Sequence, residues 1–194
     1  ASMTAFVLFY LVTAYLLSYS KNHLQLPFNQ TLQIEMIGAI VFGLSIALTG
    51  KFSDRIKRRT LMIWVTISTG IYSFAIPYFL HSGIIGVLAM SIIGLVLLGI
   101  TYSPLGTILA SPFPTAIRYT GVSLTFNLAG IVGGSFAPYI AESLVQYFDV
   151  TYVGYYLFFS AFISRFLILL ICSRSDWRGN IRFIFFLLSS MQIA

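Results

Sequence analysis

Apolar positions along this chain fall into six long runs separated by short polar connections. A helix needs about 20 mostly apolar residues to cross a lipid layer, and each run is close to that length. The runs cover about Met3 to Ser20, Leu32 to Thr49, Leu61 to Leu80, Ile84 to Ala110, Tyr119 to Gln146 and Val150 to Cys172. The fourth is long enough to need tilt or a break, and Pro104 with Gly106 is the expected break, because proline removes a backbone donor and clashes with the preceding turn. Between the fourth and fifth runs, Pro112 and Pro114 in the joint Ser111 to Thr120 rule out one continuous helix. The fifth run is glycine-rich, with Gly130 and Gly134 in a GxxxG pair beside Gly133 and Pro138 one turn on. Small residues at that spacing let helix backbones approach closely in lipid. The expectation is an all-α membrane protein of six transmembrane helices in one bundle, residues 1–172. Residues 173–194 follow as a cytoplasmic tail or an interfacial anchor, since the FIFFLL run is too short to span.

Composition narrows the class. Hydrophobic residues are 58% of the chain and charged residues 8%, against roughly 25% charged in soluble domains. The net charge of +6 sits in the connections, which points to topology and anionic headgroups rather than to nucleic acid. Gly50 to Thr60, GKFSDRIKRRT, alone holds Lys51, Arg55, Lys57, Arg58 and Arg59 around Asp54. Positive residues stay on the cytoplasmic side. With this stretch inside, the same side also receives Arg118, Arg174, Arg178 and Arg182, while the other receives only Lys21. Both termini are then cytoplasmic. The opening ASMTAFVLFY has no basic region and no cleavage site, so it does not read as a signal peptide.

For chemistry, there is no GxSxG elbow, HExxH, P-loop or catalytic cluster of acids, so an enzyme is not expected. Neither a metal nor another cofactor is expected. Cys172 is the only cysteine and reads as apolar filler, and His23 and His81 lie in short loops. Tyr10, Thr13, Tyr15 and Tyr19 give the first run many hydroxyls; Tyr15 and Tyr19 share a face, and Tyr19 suits an interfacial belt. Asn127 lies nine residues past Arg118, about 13 Å deeper at the helical rise. A midplane asparagine faces protein or a water-filled cavity, by hydrogen bonding another helix or by contacting substrate. Glu35 and Glu142 lie near the outer ends of their spans and are candidates for proton coupling, with interfacial exposure the simpler account. Arg165 lies within the sixth run, deep for snorkelling.

Two stretches carry a family resemblance. GKFSDRIKRR resembles the G-x-x-S-D-R-x-G-R-R loop of the major facilitator superfamily, with Lys57 where that pattern has glycine. FPTAIRYTGVSLTFNLAGIVGGSFAPYIA is similar to the start of helix eleven in the metabolite:H+ symporter family, whose members carry proline/betaine, α-ketoglutarate, citrate and shikimate. The resemblance implies that about Ala5 to Cys172 corresponds to helices seven to twelve of such a transporter. It implies a latch loop with Gly50 permitting close approach, Asp54 as the acid, and Arg55, Arg58 and Arg59 as its partners or lipid contacts. Arg118 then marks the joint between helices ten and eleven. The implied activity is proton-coupled symport of a small polar metabolite or osmolyte such as proline or betaine across the inner membrane. Tyr10, Thr13 and Asn127 are the expected substrate contacts, and a tyrosine-bearing face suits a quaternary ammonium. The partners are membrane lipid, a small-molecule substrate, protons, and an N-terminal six-helix half or a second copy. The competing expectation is a non-transporting remnant or scaffold subunit.

Overall fold

A computed structural model describes residues 2–25, 27–53, 58–111 and 113–173. They form six long helical elements in chain order: Ser2–Asn22, Phe28–Ser53, Arg58–His81, Gly83–Ala110, Thr115–Tyr147 and Thr151–Ser173. The first contains a π-helical turn, Leu11–Tyr15, between its two α-helical parts. The fifth runs as a 3-10 turn Thr115–Ile117, an α-helix Arg118–Gly130, a π-helical turn Ile131–Ser135 and an α-helix Ala137–Tyr147. The first five are long and apolar enough to cross a membrane.

Helices extend past the apolar runs where nothing in the sequence stops them. The second begins at Phe28 and continues to Ser53, because Lys51, Phe52 and Ser53 are all compatible with helix and can leave the apolar layer still helical. Gly50 therefore lies inside a helix rather than in a loop, and Arg58 and Arg59 open the third helix. Asp54 and Arg55 lie outside the described residues, as does the tail from 174 onward. Pro104 does not break the fourth helix, which is continuous from Gly83 to Ala110. The proline is buried there, where packing against neighbours holds a helix that has lost one backbone hydrogen bond. The break falls at Ser111–Pro114 instead, with Pro114 extended at φ −61° and ψ 155°.

Packing follows a repeat. The second helix packs on the fourth, the third on the fourth and the sixth, and the first on the fifth and the sixth. Exchanging the first three helices with the last three maps this set of contacts onto itself. The bundle is thus two three-helix units around a pseudo-two-fold axis, an arrangement common in transporters. The second and fourth helices run parallel: Gly38 faces Ser91 and Leu95, Gly99 faces Phe42 and Ser45, and Gly50 faces Ser103. The first and fifth are equally close, with Gly133 against Met3, Gly130 against Phe6 and Gly134 against Tyr10. The GxxxG stretch is therefore a helix-packing face.

The first helix is the centre. Leu8, Leu11, Val12, Tyr15 and Leu16 are buried with Ile76, Leu80, Val87, Met90, Leu98, Val153 and Leu157 in one cluster. Tyr19 belongs to this core too, only 6% exposed, so it packs between helices rather than sitting in an interfacial belt. Polar links reinforce the apolar contacts. Thr4 Oγ1 donates to the Ser160 carbonyl (3.0 Å) and hydrogen-bonds Ser164 Oγ (2.5 Å), tying the first helix to the sixth. Tyr72 donates to the Met90 carbonyl (2.7 Å), tying the third to the fourth.

Two glycines of the second helix test this packing. A Cβ on Gly38 would lie 2.5 Å from Leu95 Cδ1 and 2.7 Å from Ser91 Oγ, whereas one on Gly43 meets nothing within 4 Å. Gly38→Val should lower the stability of the detergent-solubilised bundle by an overpacking cost of about 1–3 kcal/mol. Gly43→Val should leave it unchanged. Thermal unfolding of the two variants side by side checks the difference.

Candidate functional site

Four helices bring aromatic rings to one half-buried row. Phe42 of the second helix meets Tyr102 of the fourth edge-on, with centroids 5.9 Å apart. Tyr102 meets Phe126 of the fifth at 6.4 Å, and Phe126 meets Phe6 of the first at 4.9 Å. All four rings are partly exposed. Phe126 and Tyr102 each lie eight residues from the Arg118 or Ala110 end of their segment, about 12 Å along the axis at the helical rise. The row is therefore deep within an apolar layer ~30 Å thick.

The sequence-predicted residues surround this row unequally. Tyr10 is half-buried, its ring pressed over Gly134 and edge-on to Phe9 at 5.4 Å. Thr13 lies one turn on, inside the π-helical turn, and its hydroxyl donates to the Phe9 carbonyl (2.8 Å). Local π-helical turns often accompany functional sites, and here one lies just beyond Tyr10. Asn127 follows Phe126 and is exposed, its Nδ2 donating to the Ser123 carbonyl at 2.8 Å. It makes no bond to another helix among the described residues, and its amide carbonyl is open to a ligand.

Other predicted residues lie elsewhere. Arg118 is exposed at the start of the fifth helix, donating from Nε to the Phe113 carbonyl (3.3 Å) and closing the joint after Ala110. Glu142 is half-buried in the last part of the fifth helix. Glu35 is partly buried toward the opposite end of the bundle from Arg118. Arg165 is half-buried beside Ser164. His23 is exposed and stacks on Tyr19 with centroids 4.8 Å apart.

Phe42, Tyr102 and Phe126 carry no sequence signal for a site. An aromatic residue in an apolar run reads as packing, and only the helix arrangement shows that their rings meet at a partly open face. That face is apolar and ring-lined, with the Tyr102 side chain among its rings. No lysine or arginine lies on it among the described residues. It can hold a small molecule by ring contact, including cation–π attraction to an alkylammonium, with a few hydrogen bonds for orientation.

The model of the Major Facilitator Superfamily matches residues 1–138. The chain belongs to this superfamily. Among curated proteins, it is 37% identical over 161 residues to the inner membrane metabolite transport protein YhjE of Escherichia coli, covering 80% of this chain and 37% of YhjE. It is 27% identical to the shikimate transporter of E. coli, over 80% of this chain and 36% of that protein. It is 29% identical to the proline/betaine transporter of Salmonella typhimurium, over 81% of this chain and 32% of that protein. The chain thus spans about a third of the length of these relatives. No solved structure matches it. As a member of this superfamily it is a multi-pass membrane protein.

If the ring row lines a cavity, Asn127→Cys should react with a small aqueous thiol reagent in the assembled transporter, and substrate should protect it. Leu98→Cys, at a fully buried position, should stay unlabelled. Equal labelling at both positions would remove the cavity assignment.

Proposed function

We propose that these six helices are the second half of a proton-coupled symporter that carries a small polar metabolite across the inner membrane, with a compatible solute such as proline or betaine as substrate. The observation that carries the reading is the ring-lined face formed by Phe6, Phe42, Tyr102 and Phe126, with Tyr10 and Asn127 beside it. A carboxylate-rich substrate such as citrate would need basic partners, and the ring row itself contains none, although Arg165 of the sixth helix lies at the same depth. A zwitterion with an alkylated nitrogen gains from ring faces and leaves its carboxylate to the other half of the cavity. The relatives' names support the class, since they include a proline/betaine transporter and an inner membrane metabolite carrier.

The partner in this reading is a preceding six-helix half. The bundle has an open face where two such halves can enclose a site and rock around it. The excess of basic residues around the 54–57 connection supports a cytoplasmic position for it and, with it, for both ends. In this reading the connection acts as a latch, Asp54 pairing with Arg55, Arg58, Arg59 or a helix N-terminus in one of the two alternating states.

The test is uptake of radiolabelled proline and betaine in cells lacking their own carriers. This chain should support accumulation when expressed with the missing half, and a proton uncoupler should abolish it. Uptake of neither compound by the inserted pair would refute the substrate class. Asp54→Asn should slow uptake several-fold without reducing the amount of inserted protein, on the order of a lost charge-assisted hydrogen bond. An unchanged rate would remove the latch.

A further inference from the structure

The three glycines on the packing face of the fifth helix meet different things. On Gly133 a Cβ would lie 2.7 Å from the Met3 carbonyl oxygen and 3.1 Å from Met3 Cα, so two backbones meet there. On Gly130 a Cβ would touch only the tip of the Phe6 ring, 3.3 Å from Cζ. On Gly134 it would lie 2.5 Å from Cε2 and 3.0 Å from Cδ2 of Tyr10, so a ring edge fills the space a side chain would need. Gly134 is buried, whereas Tyr10 is half-buried. The missing side chain is a seat for one ring.

The seat adjoins the ring row. Phe6 and Tyr10 are four residues apart on the first helix, and Gly130 and Gly134 are four apart on the fifth, so the second pair is the next rung beyond the first. Phe6 also meets Phe126 of the row, with centroids 4.9 Å apart. Both helices are irregular at this rung. Tyr10 directly precedes the π-helical turn Leu11–Tyr15, and Gly134 lies inside the π-helical turn Ile131–Ser135. The inward side is closed to the ring, because Val7, Leu8, Leu11 and Val12 of the same helix are fully buried, and a close-packed interior has no room for a displaced ring. A carbon 2.5 Å away lies well inside the ~3.5–4.0 Å of an ordinary contact. A side chain on Gly134 therefore drives the Tyr10 ring outward, over the open face and beside Phe6.

We infer that Gly134 sets the specificity of the ring-lined face, by seating Tyr10 clear of the space in which the alkylated nitrogen of the substrate binds. This role rests on the reading of proline or betaine as substrate and adds the residue that selects within that class. Gly134 is a positioning residue, since it touches Tyr10 and not the substrate. A trimethylated nitrogen is broader than a primary ammonium by three methyl groups, and all of that breadth must fit against the rings. With the ring seated the face is wide enough for it. With the ring displaced, the most methylated compound is the first to be excluded, and the least methylated one still fits.

The test uses the complete transporter containing these helices, in cells lacking other carriers, with labelled proline uptake as the reporter. N-methylglycine, N,N-dimethylglycine and betaine compete with it in turn. In Gly134→Ala the inhibition constant of betaine should rise about tenfold, the low end for one methyl-sized misfit in a pocket. The rise should shrink with each methyl group removed, while the maximal rate of proline uptake holds. Gly134→Ala combined with Tyr10→Ala should match Tyr10→Ala alone, because alanine at 134 then has no ring to displace. Gly133→Ala, which meets backbone, should lower thermal stability without any grading by methyl number. An unchanged series in Gly134→Ala, an equal rise for every competitor, or an added defect in the double variant would overturn the role while leaving the substrate class intact. A wild-type transporter that takes up neither proline nor betaine would overturn the class, and this role with it. Should Gly134→Ala fail to insert, Tyr10→Trp decides: the broader ring should exclude betaine in the same graded way, and an unchanged series overturns the role.

Discussion

Lipid offers no hydrogen bonds, and this bundle is arranged around that fact. Each backbone segment within the apolar layer is helical, since only helices or closed barrels satisfy the main chain there. Most hydroxyls follow the same rule by bonding back to a carbonyl of their own helix one turn away. The few polar contacts between helices, Thr4 with Ser160 and Ser164 and Tyr72 with Met90, then act as specific pins. Against this background the buried atoms left without a partner among the described residues, on Tyr15, Ser20, Glu35, Ser53 and Ser91, are exceptions.

Small residues set how close the pinned helices come. Gly38 and Gly99 bring the second helix onto the fourth, and Gly130, Gly133 and Gly134 bring the fifth onto the first. These two contacts are related by the pseudo-two-fold axis. They carry Phe42, Tyr102, Phe126 and Phe6 into one row, because each ring extends from a helix drawn in by its glycines. The packing that makes the bundle compact is therefore also what builds the ring-lined face.

Two polar regions lie at different levels of the bundle. The ring row lies about 12 Å from the end that carries the basic connection, and Glu35 about 10 Å from the start of the second helix, by helical rise. The second helix runs through both levels.

Much of the architecture was legible in the chain itself. Run length specified six spans, and Pro112 with Pro114 marked the break between the fourth and fifth helices. These are local properties: hydropathy, charge and proline chemistry act over a few turns and need no neighbour. Helix ends were less legible, because Lys51 to Ser53 are polar yet helical, and Pro104 is tolerated where packing replaces its missing bond. What only the tertiary structure decided is which residues meet. Tyr19, a candidate for either belt or packing, lies in the core, and Phe42, Tyr102 and Phe126 form a single row. Helices of near-uniform hydrophobicity do not announce their buried face in sequence, and in lipid that face is chosen by close packing with partners far along the chain.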